Sequence, residues 1–232
     1  ALAFAGSDAV IDRFPDATVI PGLADAHGHL SSLGRAVSIV SLDGMTTASD
    51  VSARIASAPP AAFQGDWLLG RGWDQNDWKE KTFPTRALLD AAKPTTPIFF
   101  SRVDGHAAWV NSIALERAGI TKATKDPEGG RILRDEKGEP TGVLIDNAID
   151  LVSSKIPEPT QAERERRLKN ALELCAKLGL TVHDAGMDMA TFQLLQRWDL
   201  GGLLPIRVYA MADGQSPGWE EFVGRGVFKG SL

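Results

Sequence analysis

The 232-residue chain is 43% hydrophobic and 24% charged, with a formal net charge of −5, which suits one large globular domain or two small ones with a real core. No basic run offers nucleic acid or an anionic membrane a surface, and no apolar run approaches the roughly 20 residues that span a bilayer. The single cysteine excludes an internal disulfide framework and fits a reducing, cytoplasmic setting.

ALAFAGSDAVIDRF, at the start, has neither a basic leader region nor an initiator methionine, so the sequence reads as beginning at a fragment edge. ATVIPGLADAHGHL (17–30) opens as a strand, and DWLLGRGW (66–73) and TPIFFSRVDGH (96–106) are further strand candidates. TRALLDAAK (85–93) and AAWVNSIALERAG (107–119) read as helical. In 129–146, two short β runs flank a Lys-Gly turn and predict an inserted hairpin. Thr160 and Glu163 form a capping box that opens a helix over 160–179, with an apolar stripe of Leu168, Ala171, Leu172, Cys175 and Leu178. Its ERERRLK run (163–169) mixes both signs and reads as a solvated face, while Cys175 reads as a core residue rather than a nucleophile. LTVHDAG (180–186) is the next strand, followed by a helix near 190–198 and the strand PIRVYAMAD (205–213).

Strand–helix alternation argues for an α/β fold with parallel strands. Ligand-type residues at strand ends suggest part of a (β/α)8 TIM-type barrel. We count four or five units, fewer than the roughly 250 residues of a full barrel would supply. Unpaired strand edges in such a partial barrel would favour association, so a homo-oligomer is expected.

His27 and His29 carry half of the four histidines. Residues i and i+2 of a strand share a face, so the two imidazoles project together and Asp25 falls on that face too. Such a pair can bind one divalent metal such as zinc, and Gly28 between them lets chain or substrate come close. The alternative is two surface or hydrogen-bonded core histidines. Asp25 is better placed to orient a ligand imidazole than to bind metal. His106 follows Val-Asp-Gly at a strand end and leads into Trp109 and Asn111, either beside a substrate or as a capping or packing histidine. His183 alternates with Asp184, so only one of them faces a barrel axis. Trp73, Asp74 and Trp78 could wall an apolar substrate group, or the tryptophans could simply be core. Arg102 and Asp104 could pair with each other or meet a polar substrate.

VIPGLADAHGHL (19–30) resembles the first barrel strand of the amidohydrolase superfamily. GRGWDQNDW (70–78), FPTRALLD (83–90), SRVDGHAAWVNSIAL (101–115), GEPTGVLIDNAIDLV (138–152) and LTVHDAG narrow the resemblance to its family 3, the YtcJ-like group that includes N-substituted formamide deformylases. The resemblance implies a metal-dependent hydrolase of an amide- or formamide-type C–N bond, acting on a small molecule through metal-activated water. His27 and His29 would be metal ligands, and zinc is the expected ion. It implies catalytic parts for His106, His183 and Asp184, and substrate contacts for Trp73, Asp74, Trp78, Arg102, Asp104, Trp109 and Asn111. The same superfamily includes deaminases and cyclic amidases, and a chain with only part of the metal site would be catalytically incomplete. The superfamily's carboxylated lysine, its later histidine strands and its last aspartate have no counterpart here, and Lys229 is not a candidate for that lysine. Residues 1–18 are accordingly expected to be the remnant of a small N-terminal β-sandwich domain, with 19–232 forming the N-terminal and central part of the barrel, a chain truncated at both ends.

Overall fold

A computed structural model describes residues 6, 8–10 and 12–226; Lys229 lies outside them. In chain order, the elements begin with β1 (Leu23–Gly28), α1 (Leu30–Ala36), β2 (Val40–Ser41), α2 (Ala48–Ala56), β3 (Phe63–Gln64), β4 (Trp67–Trp73) and α3 (Arg86–Ala92). The middle holds β5 (Ile98–Arg102), β6 (Ala107–Val110), α4 (Ser112–Arg117), β7 (Gly130–Arg134), β8 (Pro140–Asp146) and α5 (Asp150–Ser153). The last part runs α6 (Gln161–Lys177), β9 (Leu180–Met187), α7 (Met189–Leu200), β10 (Val208–Ala212) and α8 (Trp219–Arg225). None of the described helices is long and apolar enough to cross a membrane.

The strands form two separate sheets, so the fold is mixed α/β. β1, β9 and β10 make a parallel three-stranded sheet in the order β1-β9-β10. The second sheet runs β2-β4-β5-β6-β8-β7, with β3 added against β4. Its β2, β4 and β5 are parallel, and the following pairs are antiparallel. Everything from β2 to β8 therefore lies in sequence between two strands that are neighbours in space. The two strand candidates at 66–73 and 96–106 form as β4 and β5, but in a different sheet from the histidine strand.

The second sheet is buried on both faces, which is why its strands read as continuous apolar runs rather than alternating ones. Leu68, Trp73, Phe100, Trp109 and Val143 fill one side, and Trp67, Leu69, Phe99, Val110 and Leu144 the other. This burial corrects the helical reading of residues 107–110. Ala-Ala-Trp-Val is fully buried and pairs with β5 on one edge and β8 on the other. The helix begins only after Asn111, whose side chain accepts from the Ala114 amide as an N-cap. The hairpin at 129–146 forms as β7 and β8, with Gly138 at φ 81° in its turn. It completes the edge of the second sheet.

Helices α1, α6 and α7 cover one face of the three-stranded sheet. Leu30, Leu168, Leu172, Cys175, Val182 and Leu195 form the core between them. The Thr160–Glu163 capping box is present at the start of α6. Cys175 is buried, and burial, with Asp25 nearby, pushes its thiol pKa up, as befits a core residue. Gly34 is where α1 crosses α6, and a Cβ there would overlap the Arg167 carbonyl. The other face is open, with Tyr209 more than 60% exposed.

Candidate metal centre

His27 lies near the end of β1 and His29 follows as the N-cap residue of α1, with their ring centroids 5.1 Å apart at 81°. His29 Nδ1 lies 2.8 Å from the carbonyl oxygen of Ala185 on β9. A carbonyl only accepts, so Nδ1 donates, and in the neutral ring Nε2 keeps its lone pair. A metal-binding histidine needs this tautomer, held by a hydrogen bond on the opposite nitrogen. The pairing of β1 with β9 therefore both places His29 and fixes its protonation pattern.

The register between these strands slips between Asp25 and Gly28: three steps on β1 match two on β9, from Val182 to Asp184. The slip breaks the two-residue alternation, so Asp25 does not stand in line with both histidines as strand periodicity predicts. Asp25 pairs with the buried Val182, and its carboxylate accepts from the His27 amide at 3.0 Å. It fixes the backbone of the histidine strand rather than an imidazole. A Cβ on Gly28 would meet Val182 Cγ1 at 2.7 Å, so glycine here allows the close approach of β9.

On β9, Asp184 is buried at 4% exposure and His183 is exposed. Asp184 accepts from the Leu30 amide at 3.3 Å. Burial pushes its carboxyl pKa up, the Leu30 hydrogen bond and the nearby His29 draw it down, and Asp188 raises it further. His183 faces the opposite way and packs against Tyr209, ring centroids 5.1 Å apart. The two imidazoles suit a borderline-soft divalent ion, and His29 already presents a free lone pair. Among the described residues no group of three or more His, Cys, Asp or Glu side chains is assembled that could hold a metal.

The remaining candidates lie at one end of the second sheet, where β4, β5 and β8 finish and β6, between β5 and β8, begins. Arg102 forms a two-pronged bond to Asp104, Nε to Oδ1 at 2.9 Å and Nη2 to Oδ2 at 2.5 Å. That pairing holds the Asp104 carboxyl well below the carboxylate range, at about 2. Arg102 also lies over the Phe83 ring and feels the charges of Asp74 and Asp146. The Asp74 side chain accepts from the Asn76 amide, capping a short turn. Asp104 accepts from the His106 amide, and His106 Nδ1 donates to Asp146 at 2.9 Å. Sequence reasoning missed Asp146. Its partner is 40 residues away, and only the side-by-side ends of the strands bring them together. Asp146 also sits at φ 48°, ψ −125°, a conformation L residues avoid unless their surroundings impose it.

The aromatic candidates are core. Trp73, Trp78 and Trp109 pack edge to face at about 6 Å with Phe100 against them. Trp73 donates to the Phe100 carbonyl and Trp109 to that of Thr85. Asn111 is fully buried, accepting from Ile98 and donating to Thr96. Trp73, Trp109 and Asn111 spend their polar groups on the backbone, whereas the buried Trp78 Nε1 has no hydrogen-bond partner among the described residues.

Comparison with known proteins gives the family. Residues 15–228 match the profile described as "Amidohydrolase family", and the chain belongs to that family. It is 38% identical over 163 residues to the protein LONG AFTER FAR-RED 3 of Arabidopsis thaliana, 70% of this chain and 28% of that protein. It is 33% identical over 224 residues to the N-substituted formamide deformylase of Arthrobacter pascens, 90% of this chain and 40% of that one. A crystal structure of an uncharacterized metal-dependent hydrolase from Pyrococcus horikoshii OT3 aligns with a TM-score of 0.64 at 25% identity, covering 91% of this chain and 40% of the other. The chain thus spans well under half the length of these proteins.

Proposed function

We propose that this chain is the metal-ligand strand and its supporting layers of a metal-dependent hydrolase acting on an amide- or formamide-type C–N bond. The observation that carries the reading is the His29 tautomer, fixed by the Ala185 carbonyl so that Nε2 faces outward with a free lone pair. The formamide preference rests on similarity to a deformylase across 90% of the chain. In this reading the parallel sheet β1-β9-β10 is three strands of a (β/α)8 barrel, with the second sheet inserted between the first and second barrel strands.

His27 and His29 would hold the ion, for which zinc is the first choice by ligand type. When bound, the ion supplies an activated water and polarises the carbonyl under attack. Asp25 holds the His27 backbone, and Asp184 holds the start of α1 directly after His29. His183, exposed on the open face, would meet substrate. A second reading follows from the donor set. Two protein ligands are fewer than the three of a catalytic zinc site, so the described residues alone amount to a partial site that binds metal without turnover.

Equilibrium dialysis of the chain against zinc tests both readings, alongside an assay of N-formyl and N-acyl amide hydrolysis. The proposal expects about one zinc per chain, with affinity falling about 100-fold or more in His29→Ala. Zinc bound without turnover selects the partial site, whereas no zinc binding sinks both.

A further inference from the structure

Arg167 stands four residues before Ala171, on the apolar stripe of α6 rather than on a solvated face. It is 5% exposed, and its Nε and Nη2 atoms are buried without a hydrogen-bond partner among the described residues. A buried cation without a partner is a poorly tolerated arrangement. Burial lowers the pKa of its guanidinium, and the charge of Arg35 on α1 lowers it further, with Glu163 acting the other way.

Arg167 borders a cavity of about 480 Å³ between α1, α6 and α7. Arg35, Arg164 and Arg197 line it as well, and no histidine does. None of these four arginines is in an ion pair among the described residues. Two acids, Glu165 and Asp188, share the lining, and each is already engaged by its own helix. Glu165 accepts from Gln161 at 2.8 Å, and Asp188 accepts from the Thr191 amide and hydroxyl as the cap of α7. The cavity therefore holds four guanidinium groups against two occupied carboxylates.

We propose that this cavity binds a small oxyanion, a phosphate or carboxylate group, with Arg167 holding it from the interior and Arg35, Arg164 and Arg197 around it. A guanidinium fork matches both groups by paired N–H donors, and the Nε and Nη2 edge left open on Arg167 is such a fork. Binding would give the buried charge the partner it lacks.

The test is thermal unfolding of the full chain in increasing inorganic phosphate or succinate, at ionic strength held constant with chloride. The expected result is a midpoint that rises with the logarithm of oxyanion concentration, as linkage to a folded-state site requires. A response to phosphate alone assigns a phosphoryl group, and a response to succinate assigns carboxylates. Arg167→Met keeps the apolar stripe and is expected to weaken the apparent affinity about tenfold or more. Arg197→Gln, at the exposed rim where folding is not in question, should weaken it about threefold. Responses no larger than that to chloride, or undiminished in both variants, would overturn the proposal.

Discussion

The two sheets use similar strands for opposite ends. The second sheet is covered on both faces and spends its polar edges internally, as with the Trp73 and Trp109 indole N–H groups. The β1-β9-β10 sheet is covered on one face only, and its open face carries His183 and Tyr209. Residues that recognise or transform a ligand need access, so in the proposed reading the buried sheet is scaffold and the half-open one the seat of chemistry. The tryptophan-rich motifs sit in the scaffold.

The sharpest way to break this comparison is to empty the scaffold. Trp109 is fully buried and contacts Trp73, Trp78 and Phe100. Trp109→Ala should cost about 3–5 kcal/mol in urea unfolding, the range for large-to-small changes in a packed core. If Trp109 lined an open pocket the loss would be far smaller. A loss under about 1 kcal/mol would return it to the substrate candidates.

A smaller effect is expected where the open sheet meets its helices. Gly34 lets α1 approach α6 so closely that a side chain would overlap the Arg167 carbonyl. The obstacle is backbone, which cannot swing aside, so Gly34→Val should destabilise by about 1–3 kcal/mol. The same crossing shapes the arginine cavity, so this variant should also lose the oxyanion-dependent rise in midpoint. A stable Gly34→Val protein would show that the α1–α6 packing is looser than the close contact implies.

Local signals made much of this legible. The capping box at Thr160, the stripe that buried Cys175, and the strand that leads into the two histidines all depend on residues close in sequence. What stayed hidden depends on contacts across long separations. No periodicity could show that β9 pairs with β1 across the whole second sheet, or that Ala185 would fix the tautomer of His29. Nor could it show that Asp146 would reach His106. Arg167 was concealed differently: its charged neighbours made a solvated face the simple reading, although its place one turn before Ala171 put it on the buried side. The slip at Asp25 has the same character, because a bulge is set by the partner strand as much as by the strand that carries it.

The smallest expected effect concerns the edge of the scaffold, where polar groups do reach solvent. Asp104 titrates at about 2 because Arg102 bonds its carboxylate, with the His106 amide adding a further donor. Its carboxylate in the unfolded chain titrates near 4. A folded-state pKa below the unfolded one means the pair stabilises the fold above about pH 4, and that this stabilisation is lost as pH falls toward 2. The Asp104 side chain is 42% exposed, so solvent screens the pair and its contribution should stay under about 1 kcal/mol. In urea unfolding, Asp104→Asn should therefore be slightly less stable than the parent at pH 6, with the difference closing by about pH 2.5. A gap that persists at low pH would mean that Asp104 acts through neutral hydrogen bonds to the loop, and that the Arg102 pair is incidental to it.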